Sequence, residues 1–343
     1  MTRLPRAAIL LGLAVSFFAC TEATDGPLVE VTVPPGAPFG QVVDTLVHRG
    51  IVKSGTLFSL FARVRGVDRQ VHAGQYRLRE GQAWGSVLTD LTTGRVVTEA
   101  VTVPEGFTLN QMAPRLADVT GLDADSVAAV ISALDAEELD VPGPGLEGYL
   151  FPDTYRFARG TELDAVVRVM AARYRSFWTD ERRQWLVDLG MSEREIVTLA
   201  SIVQAEAAKV EEMPVIAGVY HNRLALGHPL QADPTILYAL GGPRERLLYA
   251  AMDSVADSPY NTYTHAGLPP GPIGAPGEAA LDAALRPTET DFFYFVARPG
   301  GEHTFSETLS EHNRAVTRAR RSWDSIRAAN ASQPGTAGGP RRP

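Results

Sequence analysis

The pattern of apolar and polar positions is most regular between Ser192 and Ala208, SEREIVTLASIVQAEAA. Ser192 with Glu195 three residues on is a capping box, which satisfies free backbone N–H groups at a helix start. Ile196, Leu199, Val203 and Val210 recur at spacings that put them on one stripe of a 3.6-residue helix. Glu206 takes the missing step of that stripe, and Gln204 falls about 200° round the helix, on the far side. A carboxylate on a buried stripe is costly to ionise and tends to a raised pKa, the property a general acid needs.

Elsewhere the pattern predicts alternating short strands and helices. Val31-Thr32-Val33-Pro34-Pro35-Gly36 returns seventy residues later as Val101-Thr102-Val103-Pro104-Glu105-Gly106, and the match runs on through Gln41 with Gln111 and Leu46 with Leu116. Each copy reads as a strand, a Pro/Gly turn and an amphipathic helix. Between the copies, 56–64 is helical with Leu57, Leu60, Phe61 and Val64 on one side, 73–78 turns into a short strand, and 84–91 is a helix closed by Gly94. Residues 28–100 thus form a small α+β unit, either a spacer or a glycan-binding module.

The second part reads as a mixed α+β domain over 101–327. Residues 122–141 are helical and acidic, and Pro142-Gly143-Pro144-Gly145 is a break. The aromatic stretch 146–157 is a strand or ordered loop; its rings suit a plain core or a sugar platform, and Glu147 and Asp153 lie within it. One long amphipathic region covers 163–189. Pro214 suits the first position of a helix that runs to Gly227. A short helix covers 236–240, and Gly/Pro loops with Tyr260, Asn261 and Tyr263 follow. A loop this long in a compact domain is functional or disordered, and its aromatic and amide residues argue for order. Residues 292–296 are a buried strand by composition, 301–306 a turn and extended piece, 311–327 a last helix, and 328–343 a disordered tail.

Composition narrows the class. The 343 residues allow two or three domains, and the net charge of −8 with pI near 5.5 argues against nucleic acid as partner. Cys20 is the single cysteine, so no internal disulfide forms. Arg3 and Arg6 precede an apolar run of thirteen residues, 7–19, which Cys20 ends. That suits a signal-peptide core better than a membrane span, which needs about 20 apolar residues. Phe17-Phe18-Ala19-Cys20 is similar to a lipoprotein cleavage site; an uncleaved short anchor is the alternative. Either way the body is exported and held at a cell membrane, on its periplasmic or extracytoplasmic side.

Several chemistries fail by absence. There is no Cys in the globular part, no H-E-x-x-H or Cys/His pair at zinc spacing, no G-x-S-x-G and no phosphate loop. No metal or cofactor is expected, and His221 and His228 suit surface or capping roles. Carboxylate chemistry remains, with glycoside cleavage leading because it needs a high-pKa acid. A hydrolase uses two carboxylates. Asp233, Glu147 and Asp153 are candidates for the second, with Glu147 preferred. A single Glu suffices where the sugar supplies its own nucleophile, as the 6-hydroxyl of N-acetylmuramic acid does in forming a 1,6-anhydro product.

The motifs then converge. Leu199-Ala200-Ser201-Ile202-Val203-Gln204-Ala205-Glu206, Asn222-Arg223-Leu224, Leu230-Gln231-Ala232-Asp233-Pro234-Thr235, Tyr260-Asn261-Thr262-Tyr263, 267–273, Pro276-Gly277, His303-Thr304-Phe305, His312-Asn313 and 147–155 follow in family order. Over roughly 28–327 the chain resembles the endolytic murein transglycosylases, the MltG or YceG-like family. The resemblance implies a lytic transglycosylase that cuts nascent peptidoglycan strands internally at the MurNAc–GlcNAc β-1,4 bond, beside the synthases whose strands it ends. It implies a LysM-like module over 28–100 and a catalytic Glu at Glu206. The family's first helix glutamate is Gln204 here, harmless if that position faces away. Gln231, Asn261 and Tyr263 are candidates for N-acetyl and hydroxyl contacts; Asp233 positions one of them or caps a loop. The rivals are a muramidase-type hydrolase, a non-catalytic glycan-binding scaffold, and a Glu206 salt-bridged in the core to Arg223.

Overall fold

The computed structural model describes residues 26–34, 36–242, 244 and 249–331. The expected leader or anchor lies outside the described residues, as does the tail from 332 on. The chain divides into two compact units. The first holds residues up to Ala100 with Val119–Gly121 and Arg156–Thr161, and the second holds the remainder.

In the first unit, β1 (Leu28–Val33) and β2 (Gly74–Arg79) pair antiparallel, from Leu28 opposite Arg79 to Val33 opposite Gly74. Val31 and Val33 alternate inward along β1, as a half-buried strand requires. Two helices join these strands, α1 (Phe39–His48) and α2 (Gly55–Val64), and α3 (Trp84–Thr92) follows. The core gathers Val31, Val42, Leu46, Phe58, Tyr76 and Leu91. Tyr76 is fully enclosed because its hydroxyl finds an acceptor, donating to the His72 carbonyl at 2.6 Å.

One face is reversed from the sequence pattern. On α2 the buried residues are Phe58 and Ala62, whereas Leu57, Leu60 and Val64 are 51%, 58% and 79% exposed. The helix is apolar on both sides, so periodicity cannot choose between them. Phe58 settles it, with its ring 5.8 Å from Trp84 and 6.3 Å from Phe39.

The repeat is a structural one. β3 (Thr98–Thr102) and α4 (Leu109–Thr120) reproduce the β1–α1 sequence of strand, turn and helix. Gly36 and Gly106 both take left-handed backbone at the turn, with φ of 69° and 77°, a conformation open to glycine at no steric cost. β3 pairs with β4 (Thr154–Ala158). Between them lie α5 (Ala124–Ala133), shorter than the expected acidic helix, and the ordered loop 146–153.

The long amphipathic region over 163–189 is two helices. α6 (Leu163–Phe177) stops, and α7 (Asp180–Leu189) restarts behind Thr179, whose hydroxyl accepts from the Arg182 N–H. Thr-Asp-Glu is a helix-start signal, and the cap outweighs the continuing periodicity. The next helix, α8 (Glu193–Glu206), carries the expected capping box at Ser192. Every residue from Ile196 to Val203 is buried, so α8 is a central helix and not a half-exposed one. Val210 does not extend its stripe: the helix stops at Glu206, and Val210 opens a 3₁₀ turn with 55% exposure.

α9 (Met213–Ala225) starts one residue before Pro214 and ends two before Gly227, and α10 (Asp233–Ala239) opens three residues earlier than expected. The short α11 (Tyr249–Asp253) precedes the long loop, and α12 (Glu278–Leu285) packs against both α8 and α9. β5 (Tyr294–Ala297) and β6 (His303–Ser306) form a hairpin. β5 is half-buried where a buried strand is expected, as one strand of a two-stranded ribbon. α13 (Leu309–Ala331) carries helix into 328–331, residues expected to be disordered.

Candidate active site

Glu206 is the last residue of α8, half-buried, and the chain leaves it in extended conformation at Ala207. The Tyr220 hydroxyl, one helix on in α9, donates to Glu206 Oε1 at 3.1 Å. Enclosure, aided by the Asp233 charge, pushes the Glu206 pKa up to about 7 against the opposing pull of the Tyr220 hydrogen bond and the Arg223 charge. The three groups that act on Glu206 therefore come from α9 and α10, and Tyr263 beyond them feels the Glu206 charge in turn. A carboxyl group that changes protonation near neutral pH can give up a proton and take one back.

Asp233 opens α10 and is exposed. Its carboxylate accepts the Tyr263 hydroxyl at 2.6 Å and makes no helix-capping bond, so the loop-cap reading falls. The capping work is done by Thr262, whose hydroxyl accepts from the Ala232 N–H at 3.0 Å and meets the Thr235 hydroxyl at 2.9 Å. Gln231 just before is exposed and stands in the left-handed region at φ 50°, held by its N–H to the Thr262 carbonyl at 3.0 Å. A glutamine held there costs of order 1 kcal/mol, and such residues cluster at functional sites.

Asn261 is placed differently from expectation. It is 2% exposed; its amide N–H groups go to the Val255 and Met252 carbonyls at 3.1 and 3.5 Å, and its oxygen accepts the Tyr263 N–H at 3.0 Å. With donors and acceptor spent on its own loop, it shapes the turn that presents Tyr263 and is not a sugar contact.

Glu147 is also displaced from its expected part as the second carboxylate. It sits at the start of α4, accepting the Leu109 N–H at 3.2 Å and the Tyr238 hydroxyl at 3.4 Å. Burial pushes its pKa to about 7 as well, but its charge is not among those that act on Glu206. The Asp233 charge is. Asp153 is tied to Arg173 at 2.9 Å. The aromatic stretch around Glu147 is core: Tyr149 and Phe151 are 0% and 3% exposed and meet Tyr174 and Phe177 at ring distances of 5.2 and 6.4 Å. Among the described residues no group of three or more His, Cys, Asp or Glu is placed to hold a metal.

Arg223 does not pair with Glu206. Its Nε donates to the Phe293 carbonyl at 2.7 Å and its Nη1 to the Leu230 carbonyl at 2.7 Å, so it ties the hairpin to the loop that leads into Gln231. Gln204 also has a settled role. Its amide oxygen accepts the Gly277 N–H at 3.0 Å, and Ser201 accepts the Ile273 N–H at 3.0 Å. Together they fasten the Gly/Pro loop to α8. The position needs an acceptor, which Gln supplies as well as Glu does.

Tyr220, Ser201 and Thr262 carry work that sequence reading did not assign. Tyr220 had one visible trace, a hydroxyl on the otherwise apolar run Val215-Ile216-Ala217-Gly218-Val219. For Tyr220→Phe, removal of a donor that favours the carboxylate raises the Glu206 pKa further. The basic limb of the activity profile then moves to higher pH, roughly one unit for a hydrogen bond to a charged group. A pH–rate profile of the variant checks this; an unmoved limb would remove Tyr220 from the site.

A profile of the YceG-like family matches residues 31–318. The endolytic murein transglycosylase of Bacillus subtilis strain 168 is 34% identical over 305 residues, covering 84% of this chain and 83% of that protein. The endolytic murein transglycosylase of Streptococcus pneumoniae strain D39 is 31% identical and covers 86% of this chain; this chain spans 59% of its length. A crystal structure of a YceG-like protein from Listeria monocytogenes is 30% identical with a TM-score of 0.57, covering 84% of this chain and 99% of that one.

Proposed function

The chain belongs to the YceG-like family, and from that premise we propose that it is an endolytic murein transglycosylase whose proton-transfer group is Glu206. It is an enzyme of the lytic transglycosylase class, acting on peptidoglycan glycan strands. The observation that carries the role of Glu206 is its place at the end of α8, where the buried Tyr220 hydroxyl donates to it at 3.1 Å and enclosure raises its pKa to about 7.

The reaction balances without water. Protonated Glu206 gives its proton to the glycosidic oxygen as the bond from C1 of N-acetylmuramic acid breaks. The GlcNAc-bearing strand leaves with a free hydroxyl. The 6-hydroxyl of the same muramic acid then attacks C1, Glu206 takes its proton, and a 1,6-anhydro end forms. The enzyme is returned to its starting state. The Asp233 charge opposes loss of the proton from Glu206 until the leaving oxygen needs it. Gln231 and Tyr263, on the rim that Asn261 and Thr262 shape, face the sugar's polar groups.

A hydrolase is the second reading, favoured by Asp233 standing near Glu206 as a second carboxylate. Mass spectrometry of purified glycan strands digested by the protein separates them: 1,6-anhydro ends are expected, and reducing ends would establish the hydrolase. We read residues 28–100, a β–α–α–β arrangement followed by a helix, as a LysM-like module that holds glycan for the catalytic domain. The apolar N-terminal run tethers the body to the outer side of the cytoplasmic membrane or serves as a lipoprotein signal. Among the described residues no helix is long and apolar enough to cross a membrane. That position places the enzyme beside the synthases that extrude its substrate.

A further inference from the structure

α2 is apolar on two faces. Phe58 and Ala62 fill the core, while Leu57, Leu60 and Val64 stand on the opposite side at 51%, 58% and 79% exposure. At 100° per residue these three fall within about 60° of one another and about 150° from the buried pair. A helix apolar on both faces is ordinarily covered on both. A continuous exposed apolar stripe marks an interaction site, whereas scattered single residues do not.

Charge identifies the cover. α2 contains no acidic residue. Arg49 and Lys53 precede it, and Arg63, Arg65 and Arg69 cluster at its far end; all five are exposed. Among the described residues none of the five makes an ion pair. Residues 26–100 carry eight Lys/Arg against six Asp/Glu, in a chain whose net charge is −8. An apolar stripe flanked by basic side chains is the pattern of a helix that lies in the interface of an anionic bilayer. Chain length points the same way, and here the argument rests on the tether read above. From Cys20 to the start of β1 at Leu28 the chain can stretch at most about 28 Å, so the first unit stays close to the lipid.

We propose that the outer face of α2 is a membrane-docking surface: Leu57, Leu60 and Val64 enter the headgroup boundary of an anionic bilayer, and the flanking arginines and Lys53 bind lipid phosphates. Docking would add a second contact to the N-terminal tether and fix the orientation of the glycan-holding unit over the membrane.

The full chain with Leu60→Trp, reconstituted in vesicles of brominated phosphatidylglycerol, tests this against Thr89→Trp, an exposed position on α3 off the stripe. Quenching of the added indole should be about twofold greater or more at position 60, should weaken in brominated phosphatidylcholine, and should fall to the Thr89→Trp level when Leu57→Glu and Val64→Glu are added. Equal quenching at 60 and 89 overturns the proposal. So does a Leu60→Trp emission that shifts with protein density and not with bromine, the sign of a second copy on the stripe. Flotation keeps the two readings apart. Chains that float without excess quenching at 60 keep the tether and lose the docking face; chains that do not float lose both.

Discussion

Glu206→Gln is expected to abolish glycan cleavage and to make the protein more stable at neutral pH. The amide is the same shape and keeps an oxygen for the Tyr220 hydroxyl, which donates at 3.1 Å. It has no proton to give at the leaving oxygen and cannot take one from the 6-hydroxyl. A positioned acid–base group contributes about 10²–10⁴-fold, and the proposed reaction uses this residue in both halves, so a loss at the upper end is expected. The stability effect follows from linkage. Folded Glu206 titrates near 7 against an ordinary 4.5, so between those values the folded state binds more protons than the unfolded one. Stability therefore declines as pH rises from about 4.5 to about 7 and is flat above; the full penalty is at most about 3 kcal/mol. Gln carries none of it. Calorimetry should show equal melting temperatures near pH 4 and a gap in favour of the variant that opens with pH and levels above 7. A gap that stays closed would mean that the carboxyl is solvated, and the acid would lose its physical basis. In the wild type, cleavage should fall as pH rises past about 7, where the acid form is lost.

Arg223→Met should cost about 3–5 kcal/mol of folding stability and take activity with it. Arg223 is 9% exposed and spans two segments, with the Phe293 carbonyl on one side and the Leu230 and Pro229 carbonyls on the other at 2.7, 2.7 and 3.4 Å. Its guanidinium also lies 5.3 Å from the Tyr294 ring. Met fills much of the volume but leaves buried acceptors unmatched, each costing about 1–3 kcal/mol. Leu230 leads straight into Gln231 and Asp233, so the loop that carries them loses its anchor. Lys should rescue only in part, because a single ammonium cannot reproduce a fork aimed at two carbonyl groups. Urea unfolding with an unchanged m-value checks the loss. A cost under about 1 kcal/mol would show that water replaces the guanidinium.

How much was legible depended on the range of the interaction. The capping box at Ser192, the strand–turn–helix repeat and Glu206 at the end of its helix are written in spacings of three to seven residues, and all three stand in the structure. The face of α2 was misleading because ten residues with apolar groups on both sides contain no local preference. The break at Thr179 was missed because a cap and a continuing stripe were both present, and capping prevailed. Asn261 looked like a sugar contact because an exposed and a buried amide read alike in sequence; only the nearby Val255 and Met252 carbonyls show where its donors go.

The sequence alone determined the candidate acid, the ordered series of motifs around it and the alternation of elements that carries them, because those rest on local periodicity and residue chemistry. Only the tertiary structure decided what surrounds the acid. It brought Tyr220 to Glu206, put Asp233 rather than Glu147 near it, engaged Arg223 with carbonyls instead of a carboxylate, and left one apolar face of α2 open. The reason is that a pKa and a buried face depend on groups dozens of residues apart in sequence, and no spacing rule records which of them meet.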